Sequence, residues 1–416
     1  MKKENNFMGF TVLAVSYTPL LFRILYDYAT PAKTFSKMIT DAAFISFAWL
    51  IVSGFRQGYL RSLFTPNMLG KVHNTLGLVA AYLVILHPMA VSMLYKDWTV
   101  VLPFISGYGL LVALGSISLL LLVLTVIASH IIRKKYYEIW NLLHYLNYVF
   151  FVMIFIHGLV SLPLRTPTGI YYIFLFSFCT VAMLTKFFFD LKWLSFKSRI
   201  IDNRKVADNI YNITFAVKPT LLRMWEPGQY VMLGVSRMGD NHPMSLSRIN
   251  EDSAEVTFKV VGNFTRVLSH LKKDNHMFIT GAYGTLYKVV KDTTAPLVFI
   301  AGGIGITPFR SIISHELENY PDREIHLFFC AKDESSFAFN EDFMQLAVTH
   351  KNFHYLEVCE ATAGYLTIKT LQQHLTEFSN KQFFICGPDA MREALMEQLE
   401  DVGVSKDDIA YEEFGY

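Results

Sequence analysis

The chain has 416 residues, enough for two or three domains, with a mean hydropathy of +0.32 and only 17% charged side chains. That is too apolar for an ordinary soluble enzyme, and a formal net charge of +2 with no Lys/Arg-rich patch among aromatics sets nucleic-acid binding aside. The four cysteines, Cys179, Cys330, Cys359 and Cys386, form no CxxC pair and no metal spacing, and three of them in the polar half fit a reducing cytosol.

In chain order, six apolar segments approach the roughly 20 residues that cross a bilayer. They lie near 8–28, 37–56, 71–95, 104–129, 137–161 and 169–189. The opening "MKKENNFMGF" has a basic start, but no small-residue cleavage site follows its apolar run, which predicts a retained first span. Arg56, Arg61 and Lys71 cluster between spans two and three, and Arg133, Lys134 and Lys135 between spans four and five. The excess of positive charge predicts a multi-pass cell-membrane protein with its N-terminus, both basic loops and everything after span six in the cytoplasm.

Four histidines lie inside these spans, His73 and His87 on the third and His144 and His157 on the fifth. A lone intramembrane histidine is more often a helix–helix hydrogen-bond partner than a ligand, yet two pairs at nearly equal spacing form a pattern. Fourteen residues rise about 21 Å and thirteen about 20 Å, so His73 can meet His144 at one depth and His87 can meet His157 at another. Facing imidazoles are what six-coordinate haem iron requires, which predicts two stacked b-type haems; no CxxCH signals covalent attachment. A zinc or copper site would gather its ligands at one depth instead. On a straight helix the first pair falls about 40° apart but the second about 140° apart, which predicts an irregularity between His144 and His157. His130, beside a basic loop, reads as interfacial.

The connection "LKWLSFKSR" (191–199) leads into polar sequence, and from about 198 to 291 short alternating strands with Gly and Pro punctuation predict a small antiparallel barrel. Within it, "HPMSLS" (242–247) would let backbone and Ser245 face a flavin ring. "FKVVGNFTRVL" (258–268) follows, where Gly262 permits close approach and a helix starting near Thr265 would offer amides to a pyrophosphate. From about 294, strands alternate with helices, the pattern of a parallel α/β unit. "AGGIGITP" (301–308) places Gly302, Gly303 and Gly305 between strand and helix, without the spacing of the ordinary dinucleotide fingerprint. "FFICGPDAM" (383–391) repeats the design, with Cys386, Gly387 and Pro388 at a strand's carboxyl end; Cys386 is either core or beside a nicotinamide. In "AKDESSF" (331–337), Lys332, Ser335 and Ser336 suit a 2′-phosphate while Asp333 and Glu334 oppose it, so NADPH and NADH both stay open. The end "YEEFGY" offers Phe414, with Tyr416 as the alternative, to stack on a flavin.

With these residues together, the sequence resembles the NADPH oxidase and ferric reductase family, in particular its minimal prokaryotic members. The resemblance rests on the six spans with 14/13 histidine spacing, HPxS, GxFT, GGxGxTP, CGP and the aromatic end. It implies a multi-domain chain: a six-helix transmembrane haem domain over 1–195, an FAD-binding β-barrel over 196–292 and an NAD(P)H-binding α/β domain over 293–416, the last two being ferredoxin-NADP reductase-like. It also implies that His242, Pro243, Met244, Ser245, Ser247, Gly262, Asn263, Phe264 and Thr265 hold FAD. Gly302, Gly303, Gly305, Thr307, Pro308, Lys332, Cys386, Gly387 and Pro388 would hold NADPH or NADH, with Cys386 and Phe414 at the nicotinamide. Absence of EF-hands and long insertions implies constitutive activity without an obligatory protein subunit.

A nicotinamide gives a hydride and haem iron takes one electron, so a flavin must stand between them. The expected function is electron transfer from NAD(P)H through FAD and both haems to dioxygen, giving superoxide. Ferric chelate, a protein partner or a quinone are the competing acceptors, with Arg23, Lys37 or Arg165 as possible walls of an anionic pocket. A haem-bearing sensor has little use for two hydride-handling sites.

Overall fold

The computed structural model describes residues 2–25, 30–54, 66–96, 98, 109–132, 136–158, 166–190, 195–236 and 241–411. Phe414, Tyr416, Arg56, Arg61, Arg133 to Lys135, Arg165 and the 191–194 linker lie outside the described residues, as do the side chains of Arg23 and His130. The chain divides into two compact units, with the break between Phe187 and Phe188.

The first unit is helical. Its described helices are α1 (Lys2–Val15), α2 (Pro19–Leu25), α3 (Pro31–Gly54), α4 (Pro66–Tyr95), α5 (Leu110–Ile131), α6 (Tyr137–Gly158) and α7 (Pro167–Asp190). Proline opens α2, α3, α4 and α7, where its missing N–H has no intrahelical partner to lose. Four helices are long and apolar enough to cross a membrane, over Pro31–Gly54, Met68–Tyr95, Leu110–Ser129 and Pro167–Phe188. Shorter apolar helical stretches run Phe7–Leu21 and Leu143–Gly158. Helix α3 is the most enclosed of the four long ones, with 56% of its most apolar window buried against 17–22% for the others. Its Phe44, Phe47, Ala48 and Ile51 pack against Leu76, Phe150, Phe151 and Cys179. Leu78, Tyr82, Leu124, Ile127, Phe174 and Val181 face outward, the inverse of a water-soluble surface and the expected exterior in lipid.

Two expectations need correction here. The first apolar segment is not one continuous span: it breaks at Ser16–Thr18, because Pro19 cannot continue the helical ladder. At the break the Tyr171 hydroxyl donates to the backbone oxygen of Ser16 at 2.8 Å, and Trp49 Nε1 donates to the Ser16 side-chain Oγ at 2.8 Å. Helix α6 shows no break: its helical assignment runs unbroken from Tyr137 to Gly158. The reason is angular, since positions 140° apart sit about 70° either side of one direction, from which two imidazoles can both swing inward.

The second unit opens with a closed antiparallel barrel in the order β1-β2-β5-β4-β3-β6. Its strands are β1 (Phe196–Ala207), β2 (Ile210–Ala216), β3 (Tyr230–Gly234), β4 (His242–Ile249), β5 (Ser253–Lys259) and β6 (His276–Tyr283). Alternating residues such as Ile213, Phe215, Val231, Leu233, Leu246, Val256 and Ile279 fill its interior. A five-stranded parallel sheet follows, ordered β11-β10-β7-β8-β9. These strands are β7 (Leu297–Gly302), β8 (Ile325–Ala331), β9 (Phe353–Cys359), β10 (Gln382–Cys386) and β11 (Ile409–Tyr411). The strands β7, β8 and β10 are buried throughout, so they read as apolar runs without alternation. The chain moves outward from β7 to β9, then returns to build β10 and β11 on the other flank. The topological switch point therefore lies between β7 and β10, where open α/β sheets bind ligands.

Candidate functional site

In the helical unit the four histidines meet as two pairs. The rings of His73 and His144 have centroids 6.1 Å apart, and those of His87 and His157 6.2 Å apart. N-terminal histidine meets N-terminal histidine, so α4 and α6 run parallel and in register. An iron about 2 Å from each nitrogen, with each ring centre about 1 Å further back, sets axial imidazole centres about 6 Å apart. Both gaps fit that spacing. A cavity of about 560 Å³ opens beside the second pair, lined by His87, His157, Phe44, Val84, Leu119 and Phe155, a volume suited to a macrocycle. Gly115 on α5 makes room for His157, since a Cβ there would stand 2.6 Å from the ring.

Polar groups from neighbouring helices hold three of the four rings. Thr40 Oγ1 lies 2.9 Å from His87 Nδ1, Ser53 Oγ 2.9 Å from His73 Nδ1, and Leu111 O 2.8 Å from His157 Nδ1. Trp140 flanks His144, with ring centroids 5.0 Å apart. Asp41, 1% exposed, accepts a hydrogen bond from the Tyr172 hydroxyl, and both line the cavity together with Lys33 and Lys37. Lys37 thus stands where the sequence reading placed a cation. Thr40, Ser53, Asp41 and Gly115 were missed. The available signal was that Thr40 and Ser53 repeat the thirteen-residue interval of His144 and His157.

In the second unit, the two flavin-type motifs converge. His242, opening β4, stacks on Phe264 of α8 (Asn263–Ser269), with centroids 3.8 Å apart and planes at 22°. The Thr265 hydroxyl closes the turn before α8, accepting from the amides of Val261 at 3.0 Å and Gly262 at 3.1 Å. Helix α8 begins at Asn263, two residues before the expected start. Pairing of β4 with β3 and of β3 with β6 puts Pro243, Ser245 and Thr280 on one barrel face. Ser245 Oγ and Thr280 Oγ1 are buried there without a hydrogen-bond partner among the described residues. Orphaned polar atoms in a buried face fit a bound group that would satisfy them. Met244 points into the barrel core, and Ser247 accepts from Thr257 at 2.8 Å.

The dinucleotide-type motifs meet at the switch point. Cys386 pairs with Ala301 in register, and a Cβ at Gly305 would stand 2.1 Å from Cys386 O. A Cβ at Gly387 would stand 3.0 Å from Gly302 Cα, so glycine alone allows these two backbones to touch. Gly303 takes φ +55, and helix α9 (Ile306–Asn319) starts directly after the turn, with the Thr307 hydroxyl donating to Ile304 O at 2.9 Å. Pro308, in its first turn, is buried. Cys386 is fully buried in the apolar layer with Phe384, Ala301 and Ile306. Pro388 precedes the helix Asp389–Asp401.

After β8, Lys332 is exposed, and Asp333 Oδ1 accepts from Ser335 Oγ at 2.7 Å and Ser336 Oγ at 2.8 Å. Those two bonds hold the Asp333 carboxyl below its ordinary range. Barrel and sheet are joined by a buried ion pair, Arg310 Nη1 to Glu255 Oε2 at 2.7 Å, extended through Asn212 to Thr257. A further cluster, Glu324, His326 and His354, sits at the amino ends of β8 and β9, away from the switch point. His326 there bonds Glu324 at 2.7 Å and stacks on His354, and its burial lowers its pKa, a self-satisfied network rather than part of the crevice.

Residues 39–155 match the family described as ferric reductase like transmembrane component, and residues 299–397 match the oxidoreductase NAD-binding domain. These two domain types define the class: a membrane oxidoreductase with an NAD-binding domain. Among curated proteins, a subunit of the Na(+)-translocating NADH-quinone reductase is similar. The Neisseria gonorrhoeae protein is 28% identical over 167 residues, 37% of this chain and 41% of that one. The Yersinia pestis protein is 29% identical over 158 residues, 35% and 38%. The matched part thus spans about two fifths of these relatives. Among solved structures, a ferredoxin NADP+ reductase from Neisseria gonorrhoeae with bound FAD and NADP has 17% identity and a TM-score of 0.46, covering 53% of this chain and 98% of that one. The Amycolatopsis cytochrome P450 reductase GcoB has 22% identity and a TM-score of 0.47, covering 53% and 69%. The chain thus pairs a ferric reductase-like transmembrane region with an oxidoreductase NAD-binding domain, a combination consistent with the NADPH oxidase and ferric reductase family that the sequence resembles.

Proposed function

We propose that the chain carries electrons from cytosolic NAD(P)H through FAD and two bis-histidine b-type haems to dioxygen at the outer membrane face, giving superoxide. The observation that carries this reading is the double imidazole gap of 6.1 and 6.2 Å on two parallel helices. Bound flavin supplies the conversion of a hydride into single electrons, and haems in the two gaps supply one-electron stations across the bilayer. The chain's own residues do the rest. His242 and Phe264 form a stacked wall, and Ser245 and Thr280 offer unpaired polar atoms to the flavin. Gly302, Gly303, Gly305, Gly387 and Pro388 line the switch-point crevice for the dinucleotide, with Cys386 beneath it and Phe414 proposed to cover the flavin until nicotinamide enters. At the ribose end, Asp333 favours NADH, because its charge and its hold on both serines leave no welcome for a 2′-phosphate. The basic loops orient the nucleotide-binding side toward the cytoplasm.

Histidines on both sides of each gap would fill both ligand positions of a bound haem, so an acceptor would be held beside it, in the cavity walled by Lys33, Lys37 and Tyr172. A second reading, quinone as acceptor, is favoured by the curated relatives, which are NADH-quinone reductase subunits. The test uses purified protein with FAD and NADH and compares dismutase-sensitive cytochrome c reduction with reduction of a ferric chelate and of a soluble quinone. Rapid quinone or chelate reduction with no dismutase-sensitive signal defeats the oxidase reading. Separately, His87→Ala should lower haem content from two per chain to one; an unchanged ratio defeats the ligand assignment.

A further inference from the structure

An imidazole that binds a metal through Nε2 carries its proton on Nδ1, and in an apolar bundle that N–H needs an acceptor. On α4 both histidines find one on the same neighbouring helix: Thr40 for His87 and Ser53 for His73, each at 2.9 Å. The direction of these bonds is settled by what else the hydroxyls do. Thr40 Oγ1 donates its own hydrogen to Ser36 O at 3.0 Å, and Ser53 Oγ donates to Leu50 O at 3.3 Å. Such back-bonding to the preceding turn leaves each oxygen with lone pairs only. With the hydroxyl hydrogens so used, the histidine is assigned as the donor, with its proton on Nδ1 and Nε2 as the ligating nitrogen.

We infer that Thr40 and Ser53 are positioning residues that lock His87 and His73 in the ligating tautomer and tune each ring's strength as an electron donor. The inference rests on the bis-histidine reading proposed above. Helix α3 is suited to the task because it is the most enclosed of the long apolar helices; Ser53 is fully buried on it, while Thr40 lines the cavity beside His87. Its two hydroxyls, thirteen residues apart, reach the two depths of the histidine pairs. An Nδ1–H that donates to oxygen gives its ring more imidazolate character, which favours the oxidised iron. Plain interhelical packing would also put hydroxyls between helices, but it would not link one hydroxyl to one redox centre.

The experiment is a spectroelectrochemical titration of the full chain in nanodiscs, resolving two midpoint potentials, with the wave lost in His87→Ala assigning the outer one. Thr40→Val should raise the potential of the centre held by His87 and leave the other in place. Ser53→Ala should do the reverse, and Thr40→Ser should restore the wild-type value. If Thr40→Val releases one haem while Thr40→Ser retains it, the tautomer lock is upheld. Potentials that stay put at full haem content overturn the inference, as do two potentials moving together in either variant or haem loss in Thr40→Ser as well. Wild-type protein lacking two low-spin haems would instead sink the ligand assignment beneath it, a distinct result.

Discussion

Ser335 and Ser336 both give their hydroxyl hydrogens to Asp333, and that short triangle sets the charge at the end of β8. The carboxylate is held below its usual range by these bonds, so it is ionised throughout the physiological range. Asp333→Ser removes the charge and frees both serines, and the NADPH-to-NADH ratio of kcat/KM should rise roughly five- to tenfold, read from steady-state kinetics with each dinucleotide. An unchanged ratio would remove Asp333 from the ribose site. In the sequence these serines looked like partners for a phosphate. Only the turn after β8 reveals that a neighbouring acid already holds them, because such a bond depends on local folding and not on composition. Thr40 and Ser53 escaped notice for a related reason: single hydroxyls in an apolar span are ordinary, and their meaning lies in a partner on another helix.

At the scale of elements, the apolar runs, the barrel pattern and the strand–turn–helix motifs were all legible, since each follows from periodicity and from Gly and Pro placement. The pairing of the four histidines was legible from their spacing together with the parallel run of spans three and five that the basic loops implied. What failed was the geometry inside elements. A 140° offset on α6 needed no irregularity, and one proline divided what hydropathy joined. Gly115 shows how a helix accommodates a neighbour's ring, and Gly115→Ala places a methyl 2.6 Å from His157. That variant should lose the haem proposed for His87 and His157, taking the haem-to-protein ratio from two toward one while the second unit still reduces a diaphorase dye. Between barrel and sheet, Arg310 is 5% exposed and its partner Glu255 8%. Arg310→Met strands a buried carboxylate and should cost about 3–5 kcal/mol in calorimetric unfolding of the second unit. Adding Glu255→Leu should recover much of that loss; no recovery would mean that the pair is not the joint.

For the molecule as a whole, the proposed electron path makes the interval between the two histidine pairs the step from one membrane face toward the other. Midway along α4 and α6 lie Ala80 and Phe151, both fully buried. Phe151 sits in an aromatic cluster with Phe44 and Phe47, centroids 6.0 Å away, and with Phe176 at 5.5 Å. Among the described residues this middle is apolar aromatic packing, in which a bare ion is costly, and its Phe44 and Phe47 also wall the cavity beside His87 and His157. On the proposed path, each electron delivered outward would leave a positive charge behind, and the work of sending the next would grow by about 2.3 kcal/mol per 100 mV. In sealed liposomes with outward-facing nucleotide sites, turnover should start quickly, decay within the time needed to charge the membrane, and recover when an ionophore is added. Steady turnover without ionophore would reveal a compensating ion route. On that path the protein would act as a current source whose output is governed by whatever else in the membrane lets cations follow.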